Sequence, residues 1–221
     1  MKKKIGILCL AMCGIIFLCF YLHTKNKVED VVVPQNTVYL GRDEEKIKKH
    51  LAGFPNDFES LKEERAFFIT KVYTSGREYW EDFLEKVSNK EKSSVDIIRF
   101  GHEGEPIISY LEYDGKNFYQ VTDFNRVDSL SGYVIEKYSY MNYLDVPEDE
   151  YEGLNFSVLE GNVKEVILSD EKFNNYGEYR DFLQGWYSTP DDTEENLESF
   201  VIWPMTEENY QEMIAKMQDS E

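Results

Sequence analysis

The chain begins with a long apolar segment that follows three lysines. Residues 5–22 carry no charged side chain, and Lys2, Lys3 and Lys4 stand directly before them. As a helix, these 18 residues would reach about 27 Å, close to the roughly 30 Å of a bilayer core. The segment ends in Phe-Tyr-Leu-His, without the small-residue pattern at which a signal peptide is cleaved. The pattern therefore predicts an uncleaved transmembrane signal anchor.

The charges that flank this segment favour one orientation. Three lysines and the amino terminus precede it, against Lys25 and Lys27 soon after it, so the bias places the N-terminus inside and the C-terminal domain outside the cell membrane. Two alternatives stay open: a lipoprotein cleaved before Cys13 or Cys19, and a secreted protein. Residues 23–221 contain no cysteine, so neither a disulfide nor a cysteine nucleophile is expected there.

After the apolar segment the chain becomes polar and then enters a region of mixed apolar and charged residues, and these changes define the domain organisation. A mostly polar stretch with one valine run and Pro34 follows the apolar segment and is typical of a stalk. The predicted organisation is a basic cytoplasmic start at 1–4, a transmembrane anchor at 5–22, a stalk at 23–40, and an extracytoplasmic domain at 41–221 with a recognisable core at 66–145.

Helical periodicity is clearest after residue 76. Trp80, Phe83, Leu84 and Val87 stand at i, i+3, i+4 and i+7, which makes one apolar stripe on a helix over 77–89. Further helices are predicted at 44–51, at 177–186, and from a cap at Thr206 through Met217.

Runs of β-branched and aromatic residues predict strands in the rest of the domain. Asp114-Gly115 lies between two of them, which predicts a two-residue hairpin with positive φ at both positions. Strand, helix and antiparallel meander together predict an α+β fold with an antiparallel sheet and packed helices. The predicted strands are 66–73, 94–100, 106–113, 117–121, 132–143, 155–159, 162–168 and 199–203.

The charge balance excludes one class of function and favours one class of partner. All 43 acidic residues and 21 of the 24 basic ones follow the apolar segment, so this part has a formal charge of −22. Such a surface cannot bind nucleic acid through phosphate contacts. It repels anionic lipids and wall polymers, and it accelerates association with cationic proteins or peptides.

Motifs for catalysis or for metal binding are incomplete. His23, His50 and His102 are isolated, so we interpret them as surface or turn residues rather than zinc ligands. Residues 123–128 place oxygen ligands as in the start of a calcium loop, but Val127 occupies the fifth position and no glycine follows. Neither a hydrolase elbow nor a phosphate-binding loop occurs. We therefore predict no catalytic residue, metal or cofactor.

A resemblance covers roughly residues 66–145. It is carried by Ile97-Ile98-Arg99, by the segment 102–108, by Leu111-Glu112-Tyr113-Asp114-Gly115, and by Asp123 and Asp128. This pattern resembles a family of small secreted or lipid-anchored domains of unknown function from Gram-positive bacteria. The resemblance implies an extracytoplasmic α+β domain and no catalytic residues.

The turn within this resemblance provides the candidate binding residues, Glu103, Gly104, Glu105 and Pro106. Glycine suits a positive φ, and proline can open a strand at the edge of a sheet. We expect a solvated turn and a non-enzymatic binding module for an envelope protein or a cationic peptide. The alternative is a cell-envelope hydrolase that uses Glu103 and Glu105 as paired carboxylates.

Overall fold

The computed structural model describes residues 39–70, 73–101, 103–127, 131–147, 163–188, 197–202 and 205–218. The anchor predicted at 5–22, nearly all of the stalk, and the strand predicted at 155–159 lie outside these residues. Within the described ranges, no helix is long and apolar enough to cross a membrane. The anchor therefore stays a prediction from the sequence.

Six strands form the larger sheet, in the order β2-β1-β3-β4-β5-β6. Strand β1 runs parallel to β3, and the other pairs are antiparallel. The predicted α+β class and the antiparallel meander, β3 to β6, are confirmed. The larger sheet is nevertheless mixed and not purely antiparallel, because a helix connects β2 to β3 and thereby allows β1 to pair in parallel with β3. The strands are β1 (Phe67–Ile69), β2 (Thr74–Ser75), β3 (Ser93–Phe100), β4 (Pro106–Tyr113), β5 (Phe118–Asp123) and β6 (Tyr133–Tyr138).

The helices follow the predicted periodicity closely. On the 77–88 helix, Trp80 and Phe83 are buried, and Leu84 and Val87 pack against the same core, as their spacing predicts. Thr206 accepts a hydrogen bond of 3.3 Å from the N–H of Asn209 and so caps the last helix. The helices are α1 (Glu44–Ala52), α2 (Phe58–Leu61), α3 (Arg77–Ser88), α4 (Tyr176–Ser188) and α5 (Glu207–Gln218).

A second, antiparallel sheet consists of β7 (Tyr140–Asp145), β8 (Lys164–Ser169) and β9 (Leu197–Ile202) in that order. The single strand predicted at 132–143 is therefore wrong, since β6 and β7 belong to different sheets. The break is at Ser139, whose N–H and hydroxyl donate to the Asp170 carboxylate at 2.9 and 2.7 Å. These side-chain bonds take the place of ladder bonds, and the chain passes from one sheet to the other.

The two faces of the larger sheet have different neighbours. We call the face covered by α1 the outer face, and the face covered by α3 and the second sheet the inner face. Successive residues of β4 alternate between them: Tyr110 belongs to the outer core with Ile47 and Leu51, and Leu111 to the inner core with Trp80. Helix α4 packs on the far side of the second sheet through Tyr179.

Two local predictions are wrong for reasons of hydrogen bonding. The strand predicted at 66–73 ends at Ile69, because the Thr70 hydroxyl donates to the Tyr73 carbonyl and accepts from the Tyr73 N–H. The Asp114-Gly115 hairpin forms, but its loop has four residues, since Tyr113 pairs with Phe118. Only Gly115 has positive φ, at +96°, and the Asp114 carboxylate instead accepts the N–H groups of Lys116 and Asn117.

Candidate functional site

The turn between β3 and β4 carries the residues predicted from the sequence. The N–H of Gly101 donates to the Glu105 carbonyl at 2.8 Å, which closes the turn directly beyond Phe100. Glu103 and Gly104 are exposed at the tip. Gly104 has φ +94°, and no described atom lies within 4 Å of the place a Cβ would take. The tip therefore projects into solvent beyond the end of the sheet.

Glu105 differs from the solvated turn residue expected from the sequence. It is partly buried, and its carboxyl carbon lies 2.6 Å from the point where a Cβ on Gly101 would stand. Its Oε2 is buried and has no hydrogen-bond partner among the described residues. Pro106, also partly buried, opens β4 opposite Phe100. Of the four candidates, Glu103 and Gly104 are thus exposed, whereas Glu105 and Pro106 are partly buried.

An exposed aromatic ring lies beside this turn. Phe58 of α2 packs on Phe100 with ring centroids 5.3 Å apart, and its side chain is 39% exposed. The Lys62 ammonium stands 5.6 Å from the centre of the Phe58 ring and also pairs with Glu207. Sequence reasoning missed Phe58, since it lies in a short acidic segment without periodicity. We call Phe58, Phe100, Glu103 and Gly104 the turn patch.

The outer face of the sheet contains a buried polar cluster. Register places Ser94 opposite Glu112 and Asp96 opposite Tyr110, and all four side chains are buried. The Glu112 Oε2 accepts hydrogen bonds from the N–H of Gly41 at 3.0 Å, from the N–H of Arg42 at 3.2 Å, and from the Tyr110 hydroxyl at 3.0 Å. Gly41 and Arg42 both have positive φ, at +65° and +56°. Because successive N–H groups converge in this conformation, the segment before α1 wraps around the carboxylate.

Asp96 of this cluster bonds to His50 of α1. The interpretation of His50 as a surface or turn residue is wrong, because it lies in α1 and its Nε2 is 2.9 Å from the Oδ2 of the buried Asp96. The hydrogen bond to Asp96 raises the pKa of His50, although partial burial opposes this shift. Burial in turn raises the pKa of Asp96, and the His50 imidazole opposes that shift. The pair joins α1 to the sheet by a charged contact below the raised pKa of the imidazole.

These carboxylates do not form an accessible acid–base pair. Asp96 and Glu112 are neighbours on the outer face, but they are 2% and 0% exposed, beneath α1 and the segment that precedes it. A glycosidase pair needs room for the sugar and for water between the carboxylates. Among the described residues, no three His, Cys, Asp or Glu side chains are grouped as a metal site. The cluster can fix α1 and residues 39–42 to the sheet.

The residues considered for calcium have another use. The Asp123 carboxylate is 1% exposed, pairs with the Arg126 guanidinium, and accepts the N–H of Asn125 at 2.9 Å. Arg126 also donates to the carbonyls of Leu51 and Phe54 at 3.1 and 2.9 Å, where α1 ends. This arrangement fastens the loop after β5 to the C-terminus of α1, where a cation is favourable. Asp128 lies outside the described residues.

Comparison with known proteins finds a similarity for part of the chain. No curated protein and no solved structure among those compared matches it. One family model matches residues 69–153. The range contains the turn, the hairpin and β2 to β7, whereas His50 and Phe58 precede it. The predicted resemblance is confirmed to this extent, and the Gram-positive origin and the secreted or lipid-anchored setting stay predictions. Residues 69–153 of this chain are similar to the family DUF4362, a domain of unknown function.

Proposed function

We propose that this protein is a membrane-anchored, extracytoplasmic binding module whose partner is a basic protein or peptide of the cell envelope. Residues 5–22 would hold the chain in the membrane, with the domain outside. The turn patch would contact the partner. The observation that carries the proposal is the exposed Phe58 ring, which contacts the Lys62 ammonium and packs on Phe100 at the base of the turn that carries the exposed Glu103.

The chemistry of the patch suits a lysine or arginine side chain. An exposed aromatic ring attracts a cation with about 0.5–1 kcal/mol, and a neighbouring carboxylate adds a charge-assisted hydrogen bond. The charge of −22 beyond the apolar segment increases the rate of encounter with a basic partner. Because that field is screened within about 8–10 Å at physiological salt, the local contacts decide which cation stays bound.

The alternative function, an envelope hydrolase with paired carboxylates, has less support among the described residues. Glu103 projects into solvent, whereas the Glu105 side chain folds back over Gly101. Asp96 and Glu112 are neighbours, but both are buried. A binding role needs only the exposed part of the turn.

The test compares variants of equal net charge. The full chain in detergent micelles is titrated with a fluorescent decapeptide of alternating lysine and serine. We expect Glu103→Gln to weaken binding by about 3- to 10-fold, in line with the loss of one charge-assisted contact. Glu85→Gln removes the charge of another exposed glutamate, which lies on α3 and not in the turn, and should change binding by less than about 2-fold.

A second variant distinguishes the contribution of the aromatic ring of Phe58 from that of its apolar surface area. Phe58→Leu keeps an apolar side chain but removes the aromatic quadrupole, so it should also weaken binding of the lysine peptide. The same peptide with acetylated lysines should not bind. Equal effects of Glu103→Gln and Glu85→Gln would mean that only the overall charge attracts the peptide, and the proposed site would then be wrong.

A further inference from the structure

Strand β6 is an edge strand, and no described strand pairs with its side that faces away from β5. In the larger sheet it is the last strand, and among the described residues β5 is its one neighbour. The N–H of Phe124 donates to the Gly132 carbonyl at 3.0 Å, which fixes the phase of the ladder. Hydrogen-bonded pairs alternate in an antiparallel ladder, so residues 134, 136 and 138 bond towards β5. The N–H and C=O groups of Ile135 and Lys137 therefore point away from β5, in the plane of the sheet.

An open cavity of about 410 Å³ lies against this edge. Three of its lining residues, Ile135, Glu136 and Lys137, are consecutive in β6. Successive side chains of a strand point to opposite faces. The cavity thus contacts three consecutive residues of the edge strand of the larger sheet. The complete lining consists of Arg42, Glu44, Tyr119, Ile135, Glu136 and Lys137.

We propose that the edge of β6 binds an extended segment of a partner protein as an added strand. Such a segment satisfies the outward backbone groups of Ile135 and Lys137, which supplies affinity without regard to sequence. This surface is additional to the turn patch. Lys137 lies about 20 Å along the strands and about 14 Å across them from the turn, judged by the register Ser94–Glu112–Tyr119–Lys137.

The cavity and the strand determine which side chains the segment carries. On the outer face, the partly buried Ile135 offers apolar area, while the Arg42 guanidinium lies over the buried Tyr119 ring and is paired with Asp114 at 2.6 Å. On the inner face, Glu136 accepts the Tyr138 hydroxyl at 2.7 Å and offers a carboxylate to an incoming cation. The fitting segment alternates apolar and basic residues, with its apolar side chains towards Ile135 and its basic ones towards Glu136.

The occupant is a partner and not a second copy of this chain. Two copies, each with −22 beyond the apolar segment, repel each other, whereas a basic segment is attracted. Lys137 is exposed near the C-terminal end of this edge strand. A lysine on an edge strand commonly prevents pairing with an identical strand, because the two ammonium groups would repel each other or be desolvated.

The probe for this proposal is an octapeptide of alternating lysine and valine, titrated into the full chain in detergent micelles. Two further peptides carry N-methyl groups on every lysine amide or on every valine amide. An added strand directs one of these two sets of amides at β6 and the other into solvent. We expect one methylated peptide to bind at least about 10-fold more weakly than the unmodified peptide, and the other to bind within about 3-fold of it.

A matched pair of variants tests the same bond from the protein side. Lys137→Pro removes the outward N–H and leaves the bonds of β6 to β5, as edge strands tolerate. Lys137→Ala removes only the side chain. Binding should fall at least about 10-fold in the proline variant and stay within about 3-fold in the alanine variant. Circular dichroism establishes that both variants fold, and the methylated peptides remain decisive on the unaltered chain if the proline variant does not.

Three results would overturn the proposal. Equal binding of the two methylated peptides would mean that side-chain charge alone attracts them. The absence of saturable binding of the unmodified peptide would leave the edge without the proposed occupant. A concentration-dependent dimer that Lys137→Pro abolishes would assign the edge to a second copy. None of these results affects the turn patch, which is tested by Glu103 and Phe58 variants.

Discussion

His50 of α1 and Asp96 of β3 meet at 2.9 Å, although 46 residues separate them in the chain. The two partners differ in burial, since the Asp96 side chain is 2% exposed and the His50 side chain is 29% exposed. The second carboxylate oxygen of Asp96 has no partner among the described residues. The imidazole is thus the group that compensates a carboxylate inside the sheet, and its protonation state bears on how firmly α1 is held.

The first prediction is that stability falls as the pH rises above the ordinary pKa of histidine. The bond to Asp96 raises the folded-state pKa of His50 above 6.5. The stabilisation is therefore complete below pH 6.5 and is lost as the pH rises through the raised value. Burial raises the pKa of Asp96, and Glu64 raises the pKa of both groups. A raised pKa in the folded state means that stability decreases as the pH rises, so these influences add to the effect of His50.

Urea unfolding of the full chain in detergent, followed by tryptophan fluorescence, measures this effect between pH 5.5 and 8.5. The control is His50→Gln, which keeps a hydrogen-bond donor but does not titrate. Its stability should vary less with pH in this window than that of the unaltered chain. Parallel pH profiles for the two proteins would show that the pair contributes nothing to the dependence.

The second prediction concerns the Glu112 carboxylate that holds residues 39–42. Glu112→Ala leaves the N–H groups of Gly41 and Arg42 and the Tyr110 hydroxyl without their acceptor. We expect a loss of about 2–4 kcal/mol, since the buried Tyr110 hydroxyl and the two partly buried N–H contacts lose their acceptor together. Glu112→Gln keeps an acceptor oxygen and should lose less. Hydrogen exchange at the Gly41 and Arg42 amides should accelerate in the alanine variant, and unchanged exchange would contradict the tether.

The contrast between periodic and long-range features explains how much of the fold the sequence predicts. Helix α3 was predictable because Trp80 and Phe83 repeat at the helical period and local spacing decides which face is buried. The strand β4 was predicted with its correct bounds, since proline opens it and an Asp-Gly turn ends it. These signals lie within a few residues of the elements that they determine.

Features that depend on distant residues could not be predicted in this way. The parallel pairing of β1 with β3 arises from the packing of α3, and strand composition is the same for either direction. The division at Ser139 depends on Asp170, 31 residues later. In the candidate site, Glu103 and Gly104 were found from the turn motif, but Phe58 reaches the same surface from a different element. A single sequence contains no signal for such contacts.

The third prediction separates two roles of Asp114 in the hairpin. One oxygen accepts the N–H groups of Lys116 and Asn117, and the other pairs with the Arg42 guanidinium. Partial burial works to raise the pKa of Asp114, but the two backbone donors and Arg42 together lower it. Its ionic contribution is therefore present above the ordinary value near 3.8 and is lost as the pH falls through the depressed folded value.

Asp114→Asn keeps an oxygen for the turn and removes the charge, and Asp114→Ala removes both. We expect the alanine variant to lose about 1–2 kcal/mol and the asparagine variant about half of that at pH 7. The difference between the unaltered chain and Asp114→Asn should shrink as the pH falls from 3.8 through the depressed folded pKa, in thermal unfolding followed by circular dichroism. Equal losses in both variants would mean that the turn bonds contribute nothing.

The fourth prediction concerns the membrane anchor, which rests on the sequence alone. Residues 5–22 are apolar and follow three lysines. The chain should stay with membranes through a carbonate wash, since a spanning helix is held by its apolar length and not by charge. Protease added to intact protoplasts should remove the domain. A mature chain that begins at a lipidated Cys13 or Cys19, or near residue 23, would show that the segment is cleaved.

The last prediction compares two glycines with positive φ. Gly76 precedes α3 with φ +65°, and a Cβ there would collide with the backbone carbonyl oxygen of Ala66. Gly104 has φ +94°, but no described atom lies within 4 Å of its Cβ position. Gly76→Ala must therefore combine backbone strain with displacement of the main chain, whereas Gly104→Ala involves strain alone.

We expect Gly76→Ala to destabilise the full chain by about 2–4 kcal/mol and Gly104→Ala by about 1 kcal/mol. Thermal unfolding in detergent measures both, and near-ultraviolet circular dichroism reports the surroundings of Trp80 on the helix that Gly76 begins. Gly104 lies in the turn patch, and its alanine variant should remain folded. A loss of affinity for the lysine–serine peptide in this variant would therefore come from the altered tip of the turn and not from unfolding. If the two variants proved equally stable, Ala66 and Gly76 would not be in the close contact that joins the start of α3 to the chain before β1.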